Sequence, residues 1–70
     1  MKTQIFHFAG YGSALMAITS ALARAETGAR IKVRFKGNVR PQGTVRITAD
    51  SQEKLAAARD RFLLRGVTLT

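Results

Sequence analysis

The chain has 70 residues, room for one small domain spanning 1–70 and no second core. It contains no cysteine, which excludes disulfides and thiolate metal ligands, and its 46% hydrophobic content with a single proline excludes a disordered basic tail. Twelve Lys/Arg stand against four Asp/Glu, a net charge of +8, which directs attention to polyanionic partners: nucleic acid, an anionic membrane or an acidic protein surface.

Residues 3–8, TQIFHF, are β-branched and aromatic and predict a first strand. Gly10 and Gly12 predict a tight turn, and Ser13 is placed to cap a helix by accepting a first-turn N–H. Leu15, Ile18, Leu22 and Ala25 recur at helical spacing and are expected to form the buried stripe of that helix, with Gly28 as its left-handed stop. In ARIKVRFKG, residues 29–37, four cations alternate with apolar residues. In a strand, that spacing makes an apolar face of Ile31, Val33 and Phe35 and a basic face of Arg30, Lys32, Arg34 and Lys36. GNVRPQG, residues 37–43, reads as a loop between antiparallel strands. TVRITA, residues 44–49, alternates again, with Val45 and Ile47 inward and Thr44, Arg46 and Thr48 outward.

Asp50, with Glu53 three residues on, predicts the start of a second helix in a capping-box pattern. Leu55, Ala58 and Phe62, with Leu63 beside them, are its expected buried stripe, and Leu64 falls on the opposite side. Gly66 is expected to end it, and VTLT, residues 67–70, to close the chain as a short strand beside the first. The order β-α-β-β-α-β with right-handed crossovers predicts an α+β, ferredoxin-like two-layer sandwich: a four-stranded antiparallel sheet with both helices on one face. Its other face would be open and basic. Residues 1–25, with one lysine, an apolar middle and two A-x-A runs, share features with a secretory signal. His7, Gly10, Gly12, Thr19 and Ser20 interrupt that pattern, so the segment is expected to fold as part of a cytoplasmic domain. No stretch reaches the roughly 18 apolar residues that span a bilayer.

TGARIKV at 27–33, followed by VRITADSQEKLAAARDRF at 45–62, resembles the KH RNA-binding domain, in which a helix ending in Thr-Gly leads to an I-x-V strand and a later strand into an Ala-rich helix. The resemblance implies RNA binding and a KH-like alternative fold, with its first helix broken near Ser20 and residues 67–70 unpaired. The family grips nucleic acid with a Gly-x-x-Gly loop, and the nearest stretch here is GYGS, Gly10 to Ser13, with serine at the second glycine position. The carry-over is therefore restricted to Gly10, Gly12, Ile31 and Val33. IFHFAGY, Ile5 to Tyr11, also echoes the aromatic first strand of RNA-recognition-motif domains, whereas GTVRITA lacks the third-strand aromatics on which that family stacks bases.

The candidate binding residues are Arg30, Lys32, Arg34, Lys36 and Arg46 on the open face, Arg40 at the loop tip, and Lys54, Arg61 and Arg65 on one arc of the second helix. Gly10, Tyr11 and Gly12 form a candidate phosphate turn, where backbone N–H groups open a helix. His7, the only histidine, lacks the partners of a metal site or a triad, and no cofactor or enzymatic chemistry is expected. These residues predict a small basic nucleic-acid-binding module that contacts RNA or single-stranded nucleic acid mainly through phosphates, with weak sequence specificity. The competing expectation is a protein–protein module of the kind found among small phage or plasmid accessory proteins, docking on an acidic or nucleic-acid-like surface. No membrane partner is expected, and a homodimer is a further candidate.

Overall fold

The computed structural model describes residues 1–36 and 41–70. Five elements follow in chain order: β1 (Lys2–Ala9), α1 (Ser13–Thr27), β2 (Arg30–Lys36), β3 (Gln42–Ala49) and α2 (Gln52–Leu64). They form a two-layer α+β domain with an antiparallel three-stranded sheet of order β1-β3-β2. Phe6, Phe8, Ile31, Val45, Ile47 and Ala49 point from the sheet into one core with Met16 and Ala23 of α1 and Leu55, Ala58 and Phe62 of α2. Both helices therefore cover the same face.

The expected fourth strand is not formed. Val67 is fully buried, yet residues 67–70 are irregular and meet the sheet at a single pair. There, His7 donates to the Thr70 carbonyl and Thr70 to the His7 carbonyl, each at 2.9 Å. Tyr11 holds the same segment from the side: its hydroxyl accepts the Thr68 N–H at 3.0 Å, a bond that stands in for one rung of a ladder.

The helix ends correct the sequence reading by one residue at each start. Gly12, not Ser13, is the N-cap of α1, and it offers no side-chain acceptor. Ser51, not Asp50, caps α2, its hydroxyl accepting the Lys54 N–H at 3.2 Å. Asp50 lies one position outside, and its carboxylate meets Lys54 Nζ only at 3.9 Å in solvent. The C-terminal stops fall as expected. Gly28 (φ 75°) closes α1, donating to the Arg24 carbonyl at 2.8 Å. Beyond α2, Gly66 (φ 83°) donates to Leu63 O and Val67 to Phe62 O, a Schellman pair whose accompanying apolar contact joins the fully buried Val67 and Phe62.

The largest correction concerns α1. Its buried residues are Met16, Thr19, Ser20 and Ala23, while Leu15, Ile18, Leu22 and Ala25 face solvent. Both stripes have helical spacing, so periodicity finds the helix without choosing its inner side. α1 is wedged between β2 and α2, and small side chains at Thr19, Ser20 and Ala23 let it approach both. In α2, Leu63 is exposed rather than beside the buried stripe, and Leu64 is exposed as expected.

β3 begins at Gln42, two residues before the expected strand. This brings Gly43 opposite both Phe8 and Phe35. Those rings meet edge to face, 5.3 Å between centroids at 86°, over the position where Gly43 has no side chain. A Cβ there would collide with the backbone of Arg34 and Phe35, so the glycine permits the close approach of β2 to β3. Phe35 stays half-exposed despite this contact, and Val33 is only half-buried, because the end of β2 runs out from under the helices.

Candidate functional site

The sheet face turned away from the helices is built in rows by the strand register. Arg30, Thr48 and Thr3 form one row, Lys32, Arg46 and Ile5 the next, then Arg34, Thr44 and His7, and finally Lys36, Gln42 and Ala9. Side chains at alternate positions share a face, so every cation of β2 lies on this one and Arg46 of β3 joins them at its centre. Arg30, Lys32, Arg34, Lys36 and Arg46 are all exposed. Thr3 and Thr48 hydroxyls bond to each other at 3.0 Å across β1 and β3.

Among the described residues no side-chain carboxylate lies on the strands that build this surface. Glu26 belongs to α1, Asp50 lies just before α2, and Glu53 and Asp60 are within α2. Lys32 and Arg46 are direct cross-strand partners, a like-charge pairing that costs stability in the free protein. Two shallow depressions lie among the cations. One, of about 300 Å³, is lined by Arg30, Ile31, Lys32, Arg46 and Thr48; the other, of about 170 Å³, by Ile5, Lys32, Arg34, Thr44 and Arg46. Arginine and lysine around a shallow, partly apolar floor provide fork and point-charge hydrogen-bond donors.

The other candidate residues do not join this face. Arg61 of α2 and Arg65, the C-cap residue just beyond it, lie in the opposite layer, and both reach Glu26 of α1, at 3.2 Å and 3.3 Å. These contacts tie the C-terminal ends of the two helices together. Lys54 faces Asp50, also on the helix side. Arg40 lies outside the described residues. In the Gly10–Gly12 turn, the Gly10 N–H is donated to the Pro41 carbonyl at 2.7 Å and the Tyr11 hydroxyl is occupied by Thr68. That hydrogen bond from the Thr68 backbone holds the Tyr11 phenol below its ordinary pKa of 10.0. The Gly12 carbonyl accepts the Met16 N–H of α1 at 3.1 Å.

The open-face residues Ile5 and Thr3 were not singled out from the sequence. The signal was present: with Phe6 and Phe8 inward, the alternation of β1 sends Thr3, Ile5 and His7 to the opposite side. Ile5 is 54% exposed, an isolated apolar side chain in the row of Lys32 and Arg46. No known protein-family model matches this chain, and a search of curated proteins finds no significant relative.

Proposed function

We propose that the open sheet face binds RNA or other single-stranded nucleic acid, chiefly through its phosphates. The observation that carries this reading is the concentration of five exposed cations on one face that, among the described residues, no side-chain carboxylate shares. An arrangement that repels itself in the free protein is relieved when an anion lies across it. A flat, open sheet suits a splayed strand, and Ile5 among the cations offers an apolar contact to a base. Threonines and long cations position a backbone more than they read a sequence, so specificity is weak. The KH-like stretch over residues 27–62 agrees with an RNA partner.

The test is a salt series of fluorescence anisotropy titrations with a mixed-sequence single-stranded RNA, comparing the wild type with the double variant Lys32→Gln/Arg34→Gln. Each phosphate neutralised on a single strand contributes about −0.7 to the slope of log K against log salt, so the variant should flatten it by about 1.4. All sequences should weaken alike. Unchanged affinity in the folded variant would assign these charges to protection of β2 as an edge strand. Absence of RNA binding by the wild type at low salt, with tight binding to an acidic protein, would assign the face to the competing protein–protein reading.

A further inference from the structure

α1 carries two apolar stripes and the core uses one. The other, Leu15, Ile18, Leu22 and Ala25, stands in solvent, with Ile18 60% exposed and Leu15 and Leu22 each 39% exposed. Its spacing of three, four and three residues is the a-d-a-d repeat of a helix–helix seam, narrower than the stripe a helix lays on a sheet. Exposed Ala14, Ala17 and Ala21 flank it and leave space for a second backbone to come close. Together these side chains form one contiguous exposed apolar patch rather than scattered single residues.

We propose that this stripe is the contact surface of a homodimer, in which α1 of a second copy packs antiparallel against Leu15, Ile18 and Leu22. Charge selects the occupant. No Lys, Arg, Asp or Glu occurs from residue 3 to residue 23, so the face around Leu15, Ile18 and Leu22 has no handle for a partner recognised by charge, and the helix's Arg24 and Glu26 lie only at its C-terminal end. An acidic partner would be drawn to the basic sheet instead. Two copies carrying +8 each repel wherever cations meet, and the outer side of α1 is where they can approach without opposing like charges. Antiparallel packing keeps the two Arg24 side chains at opposite ends and opposes the helix dipoles. Because the helices cover one face of each sheet, both basic faces stay outside the contact, and a dimer presents two of them to one polyanion. The patch is smaller than the roughly 800 Å² per partner of a standard interface, so the dimer is reversible.

Sedimentation equilibrium of nucleic-acid-free protein in high salt, which removes any bridging by a polyanion, tests this independently of what the sheet binds. The wild type should dimerise with rising concentration. Ile18→Lys should weaken dimerisation by about tenfold or more while circular dichroism and melting stay unchanged, and Leu64→Lys on α2 should leave it intact. A second measurement does not depend on how well Ile18→Lys folds. The native chain has no cysteine, so Ile18→Cys, near the middle of the seam, should cross-link to a dimer on mild oxidation far faster than Leu64→Cys. A wild type still monomeric at about 1 mM, equal cross-linking at positions 18 and 64, or association lost through Leu64→Lys and kept in Ile18→Lys would each overturn the proposal.

Discussion

The two faces of the sheet are made by the same three strands and have opposite characters. Toward the helices, Phe6, Phe8, Ile31, Val45 and Ile47 are all at most 8% exposed and pack into one core. Away from them, one residue along in β2 and β3, stand Arg30, Lys32, Arg34, Lys36 and Arg46 in solvent. The inner face stabilises the fold; the outer face costs stability in the free protein. Charge separates the layers in the same way. The helix layer carries Arg24, Lys54, Arg59, Arg61 and Arg65 against four carboxylates, close to balance, whereas the open face carries five cations and no carboxylate. Exposed ion pairs such as those of Glu26 contribute little to stability, so this division matters more for the field the protein projects than for its folding.

The contrast can be broken most severely from inside. Phe62 is fully buried and carries the apolar contact that closes α2 on Val67. Phe62→Ala should cost about 3–5 kcal/mol, comparable to the whole stability of so small a domain, and cooperative melting should disappear. Retention of a sharp melt would mean that the core is centred elsewhere.

Thr19 offers the reverse experiment. It is fully buried on α1 and its hydroxyl has no hydrogen-bond partner among the described residues. Thr19→Val should therefore stabilise by about 1–2 kcal/mol, visible as a raised denaturation midpoint with an unchanged m-value. A lowered midpoint would show that the hydroxyl is satisfied.

Ser51→Ala should cost about 1 kcal/mol by leaving the Lys54 N–H unpaired, while Asp50→Ala should change stability by only a few tenths. Paired thermal melts decide between the two caps; equal losses would restore Asp50 as the start of the helix.

On the outer face the expected sign is opposite. Lys32→Gln removes the like charge facing Arg46 and should raise stability by a few tenths of a kcal/mol at low salt. The gain should fade in about 1 M salt, where screening acts within about 3 Å. A loss would mean that Lys32 packs on the sheet through its alkyl stem.

The smallest effect lies at the C-terminal segment. Tyr11 is the only tyrosine and there is no tryptophan, so absorbance near 295 nm follows its ionisation alone. Its midpoint should lie below 10.0 in the folded protein and rise on unfolding. A phenol made more acidic by folding adds stability that is complete above its unfolded pKa and is lost as the pH falls through the folded one. An unshifted midpoint would place Thr68 away from the hydroxyl.

Much of this architecture was legible in the residues themselves. Backbone geometry makes alternation in β2 and β3 a statement about faces, so the basic surface followed from Arg30 to Lys36 without knowledge of the fold. Gly28 and Gly66 marked helix ends because a residue without a Cβ enters the left-handed region freely. The order of the first five elements followed from the same local signals. The α2 cations were legible as an arc but not as a site: nothing in Lys54, Arg61 or Arg65 says that the helix carrying them packs on the far side of the sheet from Arg46.

Tertiary structure decided what local chemistry leaves degenerate. α1 has two stripes of helical spacing, and hydropathy favours Leu15, Ile18 and Leu22, yet the core took Met16, Thr19, Ser20 and Ala23. The inner side of a helix is fixed by how it packs on its neighbours, and on the side of α1 that meets β2 and α2 the small Thr19, Ser20 and Ala23 are buried together with Met16. Likewise VTLT has the composition of a strand, but Val67 is drawn into the core against Phe62 while Thr68 is held by Tyr11, which leaves only Thr70 to pair with β1. Composition determined the charge, alternation determined the faces, and packing alone determined which apolar surface was buried and which was left in solvent.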